Sequence, residues 1–159
     1  MVFAKTSKAA SRLAKQIQSH EFQKQYLAVI NGVLKEKKGE FCDYLVKLEN
    51  GNTIVTNEKD GKKSILRYKV LEEFRNTSLV NIELITWRHH QIRVQFSSRC
   101  YPLIGDQRYG LEDKKQICLC SYFLSFLHPI TKERMTFIRY PEKNNNWCNF
   151  SFLNNTMID

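Results

Sequence analysis

The 159-residue sequence has few of the features that mark membrane, fibrous or disulfide-rich proteins. No apolar run approaches the roughly 18 residues of a membrane-spanning helix, so we expect no membrane association. Three prolines and six glycines exclude a collagen-like or linker-dominated chain. The five cysteines form no CxxC pair and are odd in number, which favours reduced thiols in the cytoplasm over a disulfide framework. Cys118 and Cys120 have no further ligands at zinc-site spacing, and we expect no metal.

Acidic residues are scarce, because 16 Asp and Glu stand against 25 Lys and Arg, for a formal net charge of +9. This balance is compatible with RNA or DNA as a partner, since lysine and arginine contacts release counterions from a phosphate backbone. Net charge alone leaves a merely basic protein as the alternative. The acid-free start of the chain fits an organellar transit peptide or an ordinary basic helix. The helix is favoured by the spacing of Ala10, Leu13, Ala14 and Ile17.

Periodicity and turn signals predict one α+β domain. Thr6 or Ser7 is expected to cap a helix that runs to about His20, with its apolar stripe toward the core. Alternating runs separated by Asn-Gly and Asp-Gly turns predict antiparallel strands, and a helical period begins after Thr86 in HHQIRVQFSSR. KQICLCSYFLSF fits a buried strand or a short helix. The segment from Asn144 onward is rich in asparagine, and we expect it to be poorly ordered or peripheral.

Three segments carry residue types suited to chemistry. In TWRHHQIRVQ, a helix that begins near residue 89 would place Arg88, His90 and Arg93 where an anion is favoured, and a solvated basic helix end is the alternative. Tyr26 lies in mid-strand, where an aromatic ring packs in a core or, at an active site, stacks on a base. Asp106 in YPLIGDQRYG is a candidate carboxylate catalyst, although an aspartate after glycine more often makes a local turn hydrogen bond.

A family resemblance is carried by six segments that extend to about Pro141: VFAKTSKAASRL, KQYLAVINGV, GKKSILRYKVL, LVNIELITWRHHQIRVQF, YPLIGDQRYG and ICLCSYFLSFLHPITKE. In this order they resemble the RluA-type pseudouridine synthases, isomerases that convert uridine to pseudouridine in ribosomal or transfer RNA. The resemblance implies an α+β fold with a central, mainly antiparallel sheet and flanking helices, and no cofactor or metal. It implies a catalytic-domain-like region over residues 1–141, a C-terminal tail over 142–159, RNA as partner, and a cytoplasmic monomer.

The same resemblance implies roles for individual residues. The family's active-site tyrosine falls on Tyr26, which would stack on the target uridine and assist proton transfer. The active-site arginine falls on Arg93, which would pair with the catalytic aspartate. The target base must leave its stack to reach them. Four further residues are expected to contact the substrate or its RNA: Lys24, Arg88, His90 and Gln91.

The chain departs from the family pattern at its start. An HRLD-type motif, whose aspartate begins the reaction, is expected just before the VFAKT-like segment, and the chain opens at Met1-Val2-Phe3. We therefore expect an N-terminally truncated domain in which Arg93 lacks its carboxylate and a sheet edge is exposed. Trp87 replaces a small glycine, and Cys120 stands where many members have a histidine.

These departures leave two functional hypotheses open. In the first, a longer polypeptide or a second chain supplies the aspartate, and the whole is an RNA pseudouridine synthase. In the second, the chain is an inactive RNA-binding remnant or a truncated product without a function of its own. Both predict that these 159 residues alone do not catalyse the isomerisation.

Overall fold

Strands dominate the computed structural model, which describes residues 2–19, 21–110, 116–142 and 145–155. In chain order the elements are α1 (Ser7–Gln18), β1 (Gln23–Asn31), β2 (Lys38–Lys47), β3 (Thr53–Thr56), β4 (Lys62–Phe74), β5 (Thr77–Leu84), α2 (Gln91–Ser97), β6 (Leu119–Leu127), β7 (Arg134–Ile138), a 3₁₀ helix (Asn145–Asn149) and α3 (Ser151–Asn155). The strands form one seven-stranded sheet in the order β3-β2-β4-β5-β1-β6-β7, with antiparallel neighbours. The predicted α+β class is confirmed. No helix in the described ranges is long and apolar enough to cross a membrane.

The central strands β1 and β5 supply both faces of the core. Residues 27–30 of β1 form a continuous apolar run because both faces of the strand are covered there. On the first face, the fully buried hydrophobic residues of the two strands are Ala28, Ile30, Val80 and Ile82. On the second face they are Leu27, Val29 and Leu79. In β5, Val80 and Ile82 therefore lie on one side and Leu79 on the other.

Helix α2 covers the first face. Ile92 and Phe96, four residues apart, are both buried against the strands, which confirms the helical period seen in the sequence. The helix begins at Gln91 rather than near residue 89, because His90 has a left-handed backbone conformation with φ of 52°. A non-glycine residue in that conformation is uncommon and is held by its surroundings.

Helix α1 has the predicted N-cap, since the Thr6 hydroxyl accepts a hydrogen bond from the Ala9 amide at 3.2 Å. The prediction that its apolar stripe faces the core is wrong, because Ala10, Ala14 and Ile17 are exposed. The buried residue is Gln16. Its side-chain Nε2 donates to the Leu127 carbonyl, and its Oε1 accepts from the Leu127 backbone amide, both at 2.8 Å. These two hydrogen bonds offset the cost of burying a polar side chain and connect the helix to the end of β6.

The ambiguous segment KQICLCSYFLSF contains a strand, since β6 pairs with β1 on one side and β7 on the other. β7 lies at an edge of the sheet, and in the described ranges it pairs with β6 alone. Phe137 and Ile138 on this strand are 50% and 56% exposed. The sheet is open, so it has edges at β3 and β7. That a missing segment leaves an edge exposed stays a prediction.

The C-terminal segment is not peripheral over residues 145–155, so that expectation is wrong there. Trp147, Phe150 and Leu153 recur every three residues and are buried against the second face. The Glu72 carboxylate accepts hydrogen bonds from the Ser151 and Phe152 amides at 3.0 and 2.8 Å. The asparagine-rich composition hides this apolar spacing. The division of the chain at residues 141 and 142 stays a prediction.

Replacement of Phe150 tests whether this segment is part of the core. Phe150→Ala should lower the free energy of unfolding by about 3–4 kcal/mol, because it removes a fully buried ring and leaves a cavity. Phe3→Ala is the matched control, since Phe3 is 81% exposed, and it should change stability by less than about 0.5 kcal/mol. Urea denaturation measures both. Equal effects of the two substitutions would contradict the packing described.

Candidate active site

A cavity of about 220 Å³ lies on the first face, between β1, the start of α2 and the turn before it. We call it the base cavity. Its apolar wall includes Leu84 and Leu119. Five of the six site residues expected from the sequence line it: Tyr26, Arg88, His90, Gln91 and Arg93. The structure thus brings Tyr26 and Arg93 to one cleft, although they are far apart in the chain.

Lys24 lies at the rim of the base cavity. It precedes Tyr26 by two residues on β1, and its ammonium nitrogen is 4.9 Å from the Tyr26 ring centroid. The same nitrogen is 5.8 Å from the ring of Trp87. A cation above an aromatic face is attracted to it, so this lysine helps to orient the Tyr26 ring. It also borders an adjoining open cleft of about 550 Å³.

Arg93 is held in a bidentate ion pair with Asp106. Its Nε and Nη2 lie 2.9 Å and 2.6 Å from the two carboxylate oxygens. The Asp106 side chain is fully buried, and that of Arg93 is 20% exposed. The expectation that Arg93 lacks a carboxylate is therefore wrong, because the YPLIGDQRYG turn supplies one.

The turn that carries Asp106 is shaped by glycine. Gly105 has φ of +75°, and a Cβ at this position would lie 2.2 Å from the Gln116 carbonyl oxygen. Only glycine accommodates that approach. Beyond it, the amides of Arg108 and Tyr109 donate to Asp106 Oδ1, each at 3.0 Å. The local turn hydrogen bonds considered from the sequence are present, together with the ion pair.

The ion pair fixes the charge states of its two partners. Burial alone would raise the pKa of Asp106, but hydrogen bonds from Arg93 and from the Tyr109 and Arg108 amides outweigh it and hold that pKa below its ordinary value. The hydrogen bond to Asp106 raises the pKa of Arg93 further. Both groups are therefore ionised at neutral pH.

His90 is neutral at the cavity wall. Burial, followed by the positive charge of Arg93, lowers its pKa to about 4. Its Nδ1 lies 2.9 Å from the Tyr109 hydroxyl, which also accepts a hydrogen bond from the Thr53 amide at 2.8 Å. The predicted anion site at Arg88, His90 and Arg93 needs correction, because His90 carries no charge and Asp106 neutralises Arg93. Tyr109 is a site residue that spacing alone did not single out, although RYG lies within the family-like turn.

Gln91 holds the turn in place. It is 2% exposed, and its Oε1 accepts hydrogen bonds from the Arg88 amide at 3.0 Å and the Thr86 hydroxyl at 3.2 Å. Its Nε2 donates to the Ile65 carbonyl at 3.0 Å. The amide is thus committed to the protein's own chain and joins the turn to β4.

The two other departures from the family pattern have different settings. Trp87 is 37% exposed and packs edge-to-face on Phe22, with ring centroids 5.7 Å apart. It therefore forms part of the open cleft beside the base cavity. Cys120 packs on the second face, away from Tyr26, and burial raises the pKa of its thiol. In the described part of the chain, no three His, Cys, Asp or Glu side chains are grouped to hold a metal ion.

Comparison with known proteins decides the family. A family model described as RNA pseudouridylate synthase matches residues 1–98. The chain belongs to the RNA pseudouridylate synthase family. The resemblance inferred from the sequence motifs is confirmed.

Curated relatives of this family support an RluA-type member. Ribosomal large subunit pseudouridine synthase D of Haemophilus influenzae is 30% identical, and the match covers 85% of this chain and 46% of that protein. Dual-specificity RNA pseudouridine synthase RluA of Pasteurella multocida is 32% identical, and the match covers 89% of this chain and 67% of that protein. The chain spans about half the length of the synthase D relative.

Solved structures of the family share the fold. The human RNA pseudouridylate synthase domain containing 1 protein superposes with a TM-score of 0.73 at 21% identity, over 88% of this chain and 62% of that one. The human domain containing 4 protein gives the same TM-score at 15% identity, over 93% of this chain and 68% of that one. The central antiparallel sheet with flanking helices is therefore a pseudouridine synthase fold.

The ion pair predicts a pH-dependent loss of stability in one variant. Asp106→Asn should lower the free energy of unfolding by about 3 kcal/mol at pH 7, because it leaves the largely buried Arg93 without its counter-charge. A carboxylate with a lowered pKa stabilises the fold above the unfolded-state pKa of about 4 and loses that contribution at lower pH. The gap between wild type and variant should therefore narrow below about pH 4.

Urea denaturation over a pH series measures this gap. Asp60→Asn is the control, since Asp60 is exposed. If the difference in free energy of unfolding between wild type and Asp106→Asn stays constant down to the lowest pH, the ion pair is not the source of that difference.

Proposed function

We propose that this chain binds uridine-containing RNA, ribosomal or transfer, and takes part in its isomerisation to pseudouridine. One observation carries the proposal: Tyr26 and the ion-paired Arg93 line the same cavity. The apolar part of its wall is formed by Leu84, Ile92 and Leu119. Such a slot suits a flipped pyrimidine, which needs a stacking surface and a few polar contacts at its edge. Family membership supports the same activity.

The family resemblance, together with the geometry, supports a role for each group in the cavity. Tyr26 stacks on the uracil ring and assists proton transfer. Asp106 engages Nε and Nη2 of Arg93, which leaves Nη1 to donate to a uracil oxygen. In the isomerisation the bond from C1′ to N1 breaks, the ring rotates and a bond from C1′ to C5 forms, while the C5 proton leaves and N1 gains one. A fixed guanidinium would stabilise negative charge on the detached ring.

The rim residues are proposed to hold the RNA strand. Lys24 and Arg88 are the cations beside the base cavity, and no ion pair within the described ranges includes either of them. They are therefore free for phosphate contacts, which position a nucleic acid without reading its sequence. His90, whose ring is neutral, would contact the RNA through a hydrogen bond at a ring nitrogen. We assign Gln91 to positioning the turn rather than to contact with RNA.

A second candidate function is RNA binding without catalysis by these residues alone. No carboxylate lines the base cavity in the described part of the chain, and Asp106 is 1% exposed and committed to Arg93. For the isomerisation, the aspartate that begins the family's reaction would come from a longer polypeptide or a second chain, whereas in the second candidate nothing supplies it. The two candidates share the same cavity and differ in whether that aspartate is present.

Substitution of Tyr26 tests the shared cavity. Tyr26→Ala should weaken binding of a fluorescein-labelled oligouridylate by about tenfold or more, because stacking on an aromatic ring contributes about 1–3 kcal/mol per base. Tyr26→Phe is the matched control, since it keeps the stacking surface and should bind like wild type. Fluorescence anisotropy measures the affinities. Equal binding affinities of wild type and Tyr26→Ala would contradict the proposal that a base of the RNA stacks on Tyr26 in this cavity.

Mapping of pseudouridine tests whether these residues catalyse the reaction on their own. The purified chain is incubated with RNA, and pseudouridine is located by primer extension after carbodiimide treatment. We expect binding without product. A site-specific product would show that these residues suffice for catalysis, which would exclude the second candidate and contradict the need for an aspartate from elsewhere.

A further inference from the structure

A second cavity, of about 450 Å³, lies between the β2–β3 hairpin and the turn that precedes α2. We call it the hairpin cavity. Its lining includes three cationic side chains: Lys47 on β2, Lys62 at the start of β4, and Arg88 on the turn. None of the assigned roles in base recognition uses Lys47 or Lys62.

The three cations are not neutralised by ion pairs. The ion pairs found in the described ranges join other residues: Lys37–Glu73, Arg67–Glu40, Arg93–Asp106 and Arg99–Asp43. The carboxylate in the lining is that of Asp60, whose Oδ2 accepts a hydrogen bond from the side-chain Nδ2 of Asn57 at 2.8 Å. Three cations therefore face one anion, and the cavity has a net positive charge.

The electrostatics of His89 agree with this charge. Its Nδ1 lies 3.0 Å from the Thr53 hydroxyl at the wall of the hairpin cavity. Burial, together with the positive charges of Lys47, Arg108 and Arg93, lowers its pKa. Burial is the largest cause of this shift, and the part that comes from the three cations agrees with a positive potential at the cavity wall.

The hairpin cavity neighbours the base cavity, because Arg88 lines both. The Arg88 Nε donates to the Lys63 carbonyl at 3.2 Å, which orients the guanidinium and leaves its other nitrogens available. Trp87 borders the hairpin cavity and the open cleft on its other side. A nucleotide strand with one base in the base cavity would therefore have a neighbouring phosphate within reach of Arg88.

We propose that the hairpin cavity binds a phosphodiester group of the RNA strand, adjacent to the nucleotide whose base enters the base cavity. The proposal rests on the proposed function, because it names a second contact with the same substrate. Arginine presents a planar fork that matches phosphate, and lysines add point charges. Such a contact fixes the position of the strand and is independent of base identity.

The test is a pair of double variants with equal net charge. Lys47→Gln/Lys62→Gln removes two cations of the hairpin cavity. Lys38→Gln/Lys69→Gln is the matched control, because Lys38 and Lys69 are exposed lysines paired across the same two strands at their opposite ends. Thermal melting of both variants checks that the fold is intact.

Binding of oligouridylate is measured by anisotropy over a salt series. The hairpin-cavity variant should bind about tenfold more weakly than wild type at low salt, and its plot of log affinity against log salt should be shallower by about 1 to 1.5, since two phosphate contacts are lost. The control should stay within about twofold of wild type, because Lys38 and Lys69 lie at the opposite end of the two strands, away from the cavity.

The outcomes distinguish this inference from the proposed function. If both double variants bind oligouridylate like wild type while Tyr26→Ala binds more weakly, the hairpin-cavity proposal is wrong and the base-cavity proposal stands. Equal weakening in both double variants would also overturn it, because the effect would then reflect net charge. No binding of oligouridylate by wild type would overturn both proposals.

Discussion

The site depends on one buried ion pair, between Arg93 on α2 and Asp106 in the turn after it. A fully buried carboxylate is costly unless a cation and hydrogen bonds compensate it, and here Arg93 and two backbone amides do so. The pair fixes the guanidinium at the wall of the base cavity, opposite the strand that carries Tyr26. This arrangement requires glycine at position 105, because the backbone there lies too close to the Gln116 carbonyl oxygen for a side chain.

Charge differs between the two cavities. Within the base cavity, Arg93 is balanced by Asp106 and His90 is neutral, so Arg88 is the lining cation outside the ion pairs of the described ranges. The hairpin cavity adds Lys47 and Lys62, which also lie outside those ion pairs. This division matches the two parts of a nucleotide, an aromatic base and a charged phosphate.

Local pattern predicted the strands and α2, because alternation in β5 and the spacing of Ile92 and Phe96 reflect burial directly. The joining of Tyr26 and Arg93 in one cleft came from family resemblance rather than from spacing, since it depends on strand order. Spacing also missed the partner of Arg93, because that contact joins separate elements. The face of α1 was misjudged because Gln16, a polar residue with both hydrogen bonds satisfied, is the one buried.

A double-mutant cycle measures the central interaction most directly. Free energies of unfolding at pH 7 are compared for wild type, Arg93→Met, Asp106→Leu and the double variant. We expect a coupling energy of about 2 kcal/mol or more. The double variant should lose less free energy of unfolding than the sum of the losses of the two single variants. Additive losses, with a coupling below about 0.5 kcal/mol, would contradict the claim that this pair organises the site.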